Sequence, residues 1–172
     1  NSPPTSSCGR LFDAVSFLAG IAPAEMEFEA EAAMRFESLA AGRAGTGYPF
    51  ELRSAVRPLN VSFSPLIRAV VNDLGKGAAP ALVAARFHET LARVVLSVAE
   101  RARRERGVDT VVLTGGVFLN RRLLVRATGL LERRGFRVLR SVRYSPNDES
   151  LSVGQIAYAL GRIRRLRRSA LA

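Results

Sequence analysis

From Gly107 onward, the sequence alternates between short apolar stretches typical of strands and longer stretches with helical periodicity. Strands are predicted at Thr110–Leu113 and Phe136–Leu139, and a helix over about Phe118–Arg134 lies between them. A last helix is predicted after the loop at 145–148. Because a helix connects the two strands, we expect them to pair in parallel. This order is typical of an α/β layer arrangement.

The first 106 residues are predicted to be mainly helical. Apolar periodicity and capping residues predict helices between Ser7 and Gly20, over about 25–41, from Ser64 to Gly75, and over 80–106. The stretch Gly45-Thr46-Gly47 is predicted as a turn, with short extended segments at 48–53 and 59–63.

The composition is that of an ordinary globular chain, with 48% apolar and 24% charged residues. No apolar run approaches the roughly 18 residues of a membrane span, and the first residues do not resemble a secretory signal. Cys8 is the single cysteine, which excludes an internal disulfide framework and favours a reducing compartment. We therefore expect a cytoplasmic protein.

The formal net charge is +11, and most of the basic side chains follow residue 100. Such a basic half can indicate a polyanion partner, because phosphates attract Arg-rich surfaces. However, Lys76 is the only lysine, and five arginines crowd the short tail at 162–168. Many of the others lie on the polar faces of predicted helices. A solvated basic surface is the favoured interpretation, and a nucleic-acid partner is not expected.

The segment most suggestive of chemistry is the strand that runs directly into Gly115-Gly116 before a helix. Glycines allow a backbone to approach a ligand closely, and amides at a helix N-terminus attract phosphate. Asn120, in the first turn of the predicted helix, can hydrogen-bond a nucleotide hydroxyl or ring edge. A tight βα turn without a ligand explains the two glycines equally well.

Two carboxylates are further candidates. Asp148 follows Pro146-Asn147 and precedes the last helix, so Asn147 or Asp148 either caps that helix or supplies a metal ligand at the carboxyl edge of the sheet. From spacing alone, capping is favoured. Asp13 lies beside an apolar helical stripe, where an acid in the first turn is also favoured by the helix dipole.

Three separated segments resemble the hydrogenase-maturation carbamoyltransferases of the HypF family. Residues 5–15 (TSSCGRLFDAV) are similar to the family pattern TSS-x-GRLFDAV, and residues 85–92 (ARFHETLA) to RFH-x-TLA. Residues 114–120 (TGGVFLN), with 146–148 and 154–155, resemble the GGVFQN and PND…GQ segments. Their order and spacing match over essentially the whole chain.

The resemblance implies an α/β fold: one lobe of the ribonuclease H-like fold shared by sugar kinases, actin and Hsp70, helix-rich with a small, partly parallel sheet. It implies that Gly115, Gly116 and Asn120 contact a nucleotide and that Asp13 holds its ribose hydroxyls. Asp148 would be one ligand of a divalent metal. The implied enzyme passes a carbamoyl group from ATP-derived carbamoyl-adenylate to the C-terminal cysteine of a HypE-like acceptor protein, on the route to the cyanide ligands of nickel–iron hydrogenase.

The chain departs from the family pattern at several positions. Leu119 replaces a glutamine, Glu149-Ser150 replaces a glycine pair, and Ala30 stands where the family has glycine. The His-x-x-x-His metal pair is absent, because His88 is the single histidine, and His88 is predicted to be a structural helix residue.

Asp148 alone cannot hold a catalytic metal, which needs further protein ligands. The first residue is also Asn1 rather than methionine. We therefore expect residues 1–172 to be the C-terminal nucleotide-binding lobe of a longer carbamoyltransferase, inactive in isolation, with the remaining ligands and domains upstream or on another chain.

Two other functions remain open from the sequence. The departures near the expected cleft leave room for a carbamoyltransferase of the same superfamily that modifies a small-molecule hydroxyl. A non-catalytic binding module is the other alternative, with a decayed cleft and a basic face or Arg-rich tail that contacts a partner or a nucleic acid. The presence of Gly115, Gly116, Asn120, Asp13 and Asp148 together argues against decay.

Overall fold

The computed structural model describes residues 5–23, 25–53 and 58–169, and this part of the chain is mainly helical. Its helices are α1 (Cys8–Leu18), α2 (Glu31–Ala40), α3 (Ser64–Gly75), α4 (Pro80–Arg106), α5 (Arg121–Arg133) and α6 (Leu151–Ser169). Its strands are β1 (Glu51–Arg53), β2 (Asn60–Ser62), β3 (Thr110–Leu113) and β4 (Arg137–Arg140). Short 3-10 turns at Gly116–Leu119 and Asp148–Ser150 precede α5 and α6.

The predicted parallel strand pair is confirmed. Strands β3 and β4 pair in parallel, with Val111 opposite Val138 and Val112 opposite Leu139, and α5 is the crossover helix between them. Strand β4 begins one residue later than predicted, because the N–H of Phe136 still bonds to the carbonyl of Leu131, at 3.1 Å, where α5 ends.

The centre of the core is the long helix α4, which spans the predicted residues. Proline at its first position and Gly107 beyond its end, at φ 66°, explain both boundaries. It packs against α2, α3 and α5. The rings of Phe12 and Phe87 meet edge to face at 4.9 Å between centroids, and Phe36 lies fully buried beside them.

Helix α2 begins at Glu31, well after the predicted start near residue 25. Ala30, immediately before it, has a left-handed backbone with φ 62°, which ends the preceding loop. The Glu31 carboxylate is buried, accepts the N–H of Glu27 at 2.8 Å and pairs with Arg35 at 2.5 Å. These contacts hold residues 25–30 as a loop rather than a helical turn.

The turn predicted at Gly45-Thr46-Gly47 is wrong, because this segment crosses α4 without turning. A Cβ atom on Gly45 would lie 3.0 Å from the backbone nitrogen of Arg86, and one on Gly47 would lie 3.3 Å from Thr90 Oγ1. The two glycines therefore allow a close crossing. The extended segments that follow form an antiparallel pair, β1 with β2.

One face of the β3–β4 pair and helix α6 have large exposed apolar side chains. Val112 and Leu139, which face each other across the sheet, are 61% and 40% exposed. Leu151, Ile156, Leu160 and Ile163 of α6 are also exposed. Among the described residues, no helix is both long and apolar enough to cross a membrane. Asn1 and the Arg-rich tail's side chains beyond residue 163 lie outside the described part.

Candidate functional site

The glycine turn after β3 and the loop before α6 meet at the carboxyl edge of the parallel pair. The N–H of Gly115 donates to the carbonyl of Pro146 at 2.8 Å, and a Cβ on Gly116 would lie 3.8 Å from that of Asn147. Gly115 has φ 101° and ψ 156°, a conformation open essentially to glycine alone. The fold thus brings together two segments about 30 residues apart, at the edge where α/β proteins bind their ligands.

These two segments and α6 enclose a cleft of about 660 Å³, within the range of small-molecule sites. Polar side chains of Thr114, Asn147, Asp148 and Gln155 line it. Its remaining wall residues are Gly115, Ser141, Tyr144, Ser145, Pro146, Ser150, Leu151, Gly154 and Tyr158. Of the five predicted site residues, Gly115 and Asp148 lie in this lining, and Gly116 adjoins Asn147 of its wall.

Asn120 caps α5 rather than lying in its first turn. Its Oδ1 accepts the N–H of Leu123 at 2.8 Å, and its Nδ2 donates to His88 Nε2 at 2.9 Å. The 3-10 turn at Gly116–Leu119 therefore precedes the helix, which begins three residues later than predicted. One amide hydrogen of Asn120 remains for another acceptor.

His88 is a buried core residue, which confirms its predicted structural role. It is 1% exposed, its Nδ1–H donates to the carbonyl of Ala84 at 2.7 Å, and its ring lies 5.2 Å from that of Phe12. Burial lowers the pKa of His88 to about 4, so the ring is neutral at pH 7. The neutral Nε2 can then accept the hydrogen bond from Asn120. No sequence pattern predicts this hydrogen bond, because His88 and Asn120 are 32 residues apart in the chain.

Asp13 lies on α1, which packs against the turn at Gly116–Leu119. Its carboxylate is 27% exposed and lies 3.6 Å from the Arg10 guanidinium. Asp13 is not among the residues that line the cleft.

Asp148 is exposed at the start of the 3-10 turn Asp148–Ser150, and its neighbour Asn147 caps this turn. Asn147 Oδ1 accepts the N–H of Glu149 at 3.2 Å, as the capping interpretation predicted. Among the described residues, no group of three or more His, Cys, Asp or Glu side chains could hold a metal ion. Asp148 can supply one ligand, so the described residues do not by themselves form a metal site.

Of the other departures from the family pattern, Ser150 lies in the cleft lining, whereas Ala30, Leu119 and Glu149 lie outside it. Leu119 is 56% exposed at the end of the 3-10 turn, and Glu149 is exposed beside Asp148. Burial raises the pKa of the Cys8 thiol to about 11, so its reactive thiolate is scarce at neutral pH.

A strand, a glycine turn and a helix border a cleft at the carboxyl edge of the parallel pair. This arrangement is typical of α/β domains that bind nucleotides. Residues 1–155 match the family described as "Carbamoyltransferase, Kae1-like Domain, second subdomain". The chain is 32% identical over 90% of its length to carbamoyltransferase HypF of Synechocystis, and 36% identical over 95% to that of Rhodobacter capsulatus. The chain belongs to the HypF carbamoyltransferase family.

The same likeness holds in three dimensions. A full-length HypF, solved in its phosphate- and nucleotide-bound form, matches 87% of this chain with a TM-score of 0.82 and 36% identity. This match confirms the predicted fold class, a helix-rich lobe with a small, partly parallel sheet. The chain spans about a fifth of its relatives, 19% and 21% of the two curated proteins and 23% of the solved chain.

Proposed function

We propose that this chain is the nucleotide-binding part of a HypF-like carbamoyltransferase. The observation that carries the proposal is the hydrogen bond from Gly115 to Pro146, since it joins the two family motifs in one cleft. The full-length HypF that matches this chain was solved in its phosphate- and nucleotide-bound form, which supports a nucleotide as the ligand. ATP-derived carbamoyl-adenylate is the proposed form of that ligand.

The proposed roles follow from the chemistry of each residue. Gly115 and Gly116 present backbone without side chains, so a phosphate can approach the Gly116 amide closely, while the Gly115 N–H holds the turn against Pro146. Asp13 would hold ribose hydroxyls, and the free amide hydrogen of Asn120 would reach another nucleotide oxygen. The fixed N–H dipoles of the glycine turn and of Asn120 would stabilise negative charge on the departing AMP. This is electrostatic rather than covalent catalysis.

Asp148 is proposed as one ligand of a divalent metal whose other ligands belong to another part of the enzyme. Its carboxylate lines the cleft and forms no ion pair within the described residues. An unpaired carboxylate at the edge of a phosphate-binding cleft is suited to a hard cation. A metal there would act as a Lewis acid on the phosphate.

The proposed acceptor is the C-terminal cysteine of a HypE-like protein in cyanide-ligand synthesis. Its thiolate would attack the carbamoyl carbon, form a C–S bond and release AMP as the C–O bond to phosphate breaks. The likeness to carbamoyltransferase HypF over most of the chain supports the family acceptor over a small-molecule hydroxyl. Of the residues that depart from the family pattern, Leu119 and Glu149 lie outside the cleft lining and Ser150 lies in it.

We propose that other domains of the same enzyme pack against the exposed apolar surface. Val112 and Leu139 form an exposed cross-strand pair, and α6 adds Ile156 and Leu160. Parallel strands are normally buried on both faces, so a two-stranded pair open on one face suits a subdomain that completes its sheet with a neighbour.

The test is ATP-dependent carbamoyl transfer by the whole enzyme that contains this chain, with a cysteine-ended peptide or hydroxylated small molecules as acceptors. Asp148→Ala is expected to abolish transfer, and Glu149→Ala, one residue away but outside the lining, to retain it. Full activity of Asp148→Ala would refute the metal role, and transfer only to hydroxyls would refute the cysteine acceptor. Absence of nucleotide binding by calorimetry would refute the proposal as a whole.

A further inference from the structure

A second groove, of about 1020 Å³, lies along α5 and shares no lining residue with the cleft. The end of α2, the segment at 43–45 and one face of α4 form its other walls. Five arginines line it: Arg43, Arg121, Arg122, Arg126 and Arg133. We call it the arginine groove.

Both carboxylates of the arginine groove are already engaged within the chain. Glu89 accepts from Arg126 Nη2 and Arg93 Nε, each at 2.8 Å. Burial alone would raise the pKa of Glu89, but these two arginines together hold it below its usual range. Glu37 accepts the backbone N–H of Arg122 at 2.9 Å, at the start of α5. The charge of Glu89 is offset by Arg126 and Arg93, whereas Glu37 keeps its charge, so the five arginines of the lining still outnumber its two carboxylates.

Three arginines of the groove keep their charge available. Arg43, Arg121 and Arg133 are exposed, and none of them forms an ion pair with a carboxylate of the described residues. A concave surface with unneutralised guanidinium groups favours a ligand that carries several carboxylates or phosphates, since each can accept two parallel hydrogen bonds from one arginine.

Gly129 lies in the middle of α5, on the floor of the arginine groove. A glycine inside a helix is unfavourable relative to alanine. Its own surroundings do not require it, because a Cβ there would meet only the end of the flexible Arg133 side chain, at 3.4 Å. The missing side chain leaves space in which the backbone of a bound ligand can lie close to the helix.

The lining distinguishes a peptide from a nucleic acid. Among the described residues that line the groove, there is no Phe, Tyr or Trp on which a base could stack. Val125, 58% exposed, offers an apolar contact between the charged positions. Arg122 and Arg133 are separated by 11 residues of helix, or about 16 Å, which is the reach of about five residues of extended chain.

We propose that the arginine groove binds an acidic, extended peptide segment of a partner protein, with carboxylates on Arg43, Arg121 and Arg133 and its backbone over Gly129. This goes beyond the nucleotide cleft and does not depend on it. The sequence predicted a solvated basic surface, and in this groove five of its arginines converge on one concave surface.

The test uses the full chain and fluorescein-labelled hexaglutamate, followed by fluorescence anisotropy. Arg121→Gln with Arg133→Gln is expected to raise Kd at least about tenfold. The matched control is Arg104→Gln with Arg106→Gln, which removes the same charge from the last turn of α4, outside the groove, and is expected to change Kd less than about twofold.

A second variant separates the groove from net charge and from folding. Gly129→Gln fills the floor without changing charge and favours the helix, so it should weaken binding while the circular dichroism melting curve stays at or above that of the parent. An equal effect of the two arginine pairs would overturn the proposal, as would unchanged binding by Gly129→Gln. Displacement of hexaglutamate by a lower concentration of hexauridylate would show a nucleic-acid groove instead.

Discussion

Acidification from pH 7 to pH 5 is expected to lower the free energy of unfolding by about 2 kcal/mol, because His88 is buried as a neutral ring. Its pKa is about 4 in the folded chain, against about 6.5 in an unfolded one. The depressed pKa means that the unfolded state binds the proton first. Stability is therefore fully present above pH 6.5 and falls as the pH drops toward 4.

The magnitude follows from the separation of the two pKa values. At pH 5 the unfolded histidine is almost fully protonated and the folded one is mostly neutral, so about 1.5 pH units act at 1.36 kcal/mol each, or about 2 kcal/mol. His88 is the only histidine, and most carboxylates titrate below this window. The dependence should therefore belong almost entirely to one side chain.

The assay is urea unfolding at pH 7, 6 and 5, with His88→Gln as the control that cannot titrate. We expect a steep loss of stability in the parent chain and a nearly flat profile in the variant. An NMR titration of the single imidazole should show its midpoint near pH 4 in the folded chain. Equal slopes in the two proteins, or an imidazole midpoint above 6, would refute the neutral buried ring.

Two substitutions, each with a matched control, test the positive-φ backbone at Ala30 and at Gly115. Ala30→Gly should raise the free energy of unfolding in urea by about 1 kcal/mol, since the left-handed backbone at residue 30 (φ 62°) is costly for a residue with a Cβ. The control Ala41→Gly, at φ −56°, should lower it instead. A change of the same sign in both variants would contradict this reasoning. Gly115→Ala should cost about 1–3 kcal/mol and weaken nucleotide binding, because φ 101° with ψ 156° is a glycine conformation. Gly116→Ala, whose Cβ meets Asn147 only at ordinary contact distance, should be much milder; equal costs would count against strain at Gly115.

The parts of the fold that depend on local pattern could be predicted. Strand β3 matched its predicted residues because an apolar run ends at two glycines, and α4 because proline begins it and glycine follows it. The start of α5 was wrong, since Phe118 continues the apolar pattern but Asn120 supplies the cap. Glycines that allow a close crossing and glycines that allow a turn look alike in sequence, which explains the error at residues 45–47.

The candidate site was predictable as motifs but not as an arrangement. Gly115 and Asp148 were identified from separate segments, and only the parallel pairing brings both into one cleft. The hydrogen bond between His88 and Asn120 joins α4 to the N-terminal cap of α5, and no periodic pattern in the sequence predicts it. The arginine groove was not predicted, because Arg43 lies in a loop far from α5 in the chain and the other four arginines are polar positions of that helix.

The open face of the β3–β4 pair has a consequence for how such a chain is made. An apolar cross-strand pair, Val112 and Leu139, lies exposed on a sheet of two short strands, beside a helix with its own exposed apolar residues. Unpaired strand edges recruit other chains, and nascent domains are most vulnerable before their neighbours have folded. The yield of soluble protein should therefore depend on how this chain is expressed. Expression in one polypeptide with the covering domain should keep it in the supernatant, whereas expression of this segment alone should favour inclusion bodies.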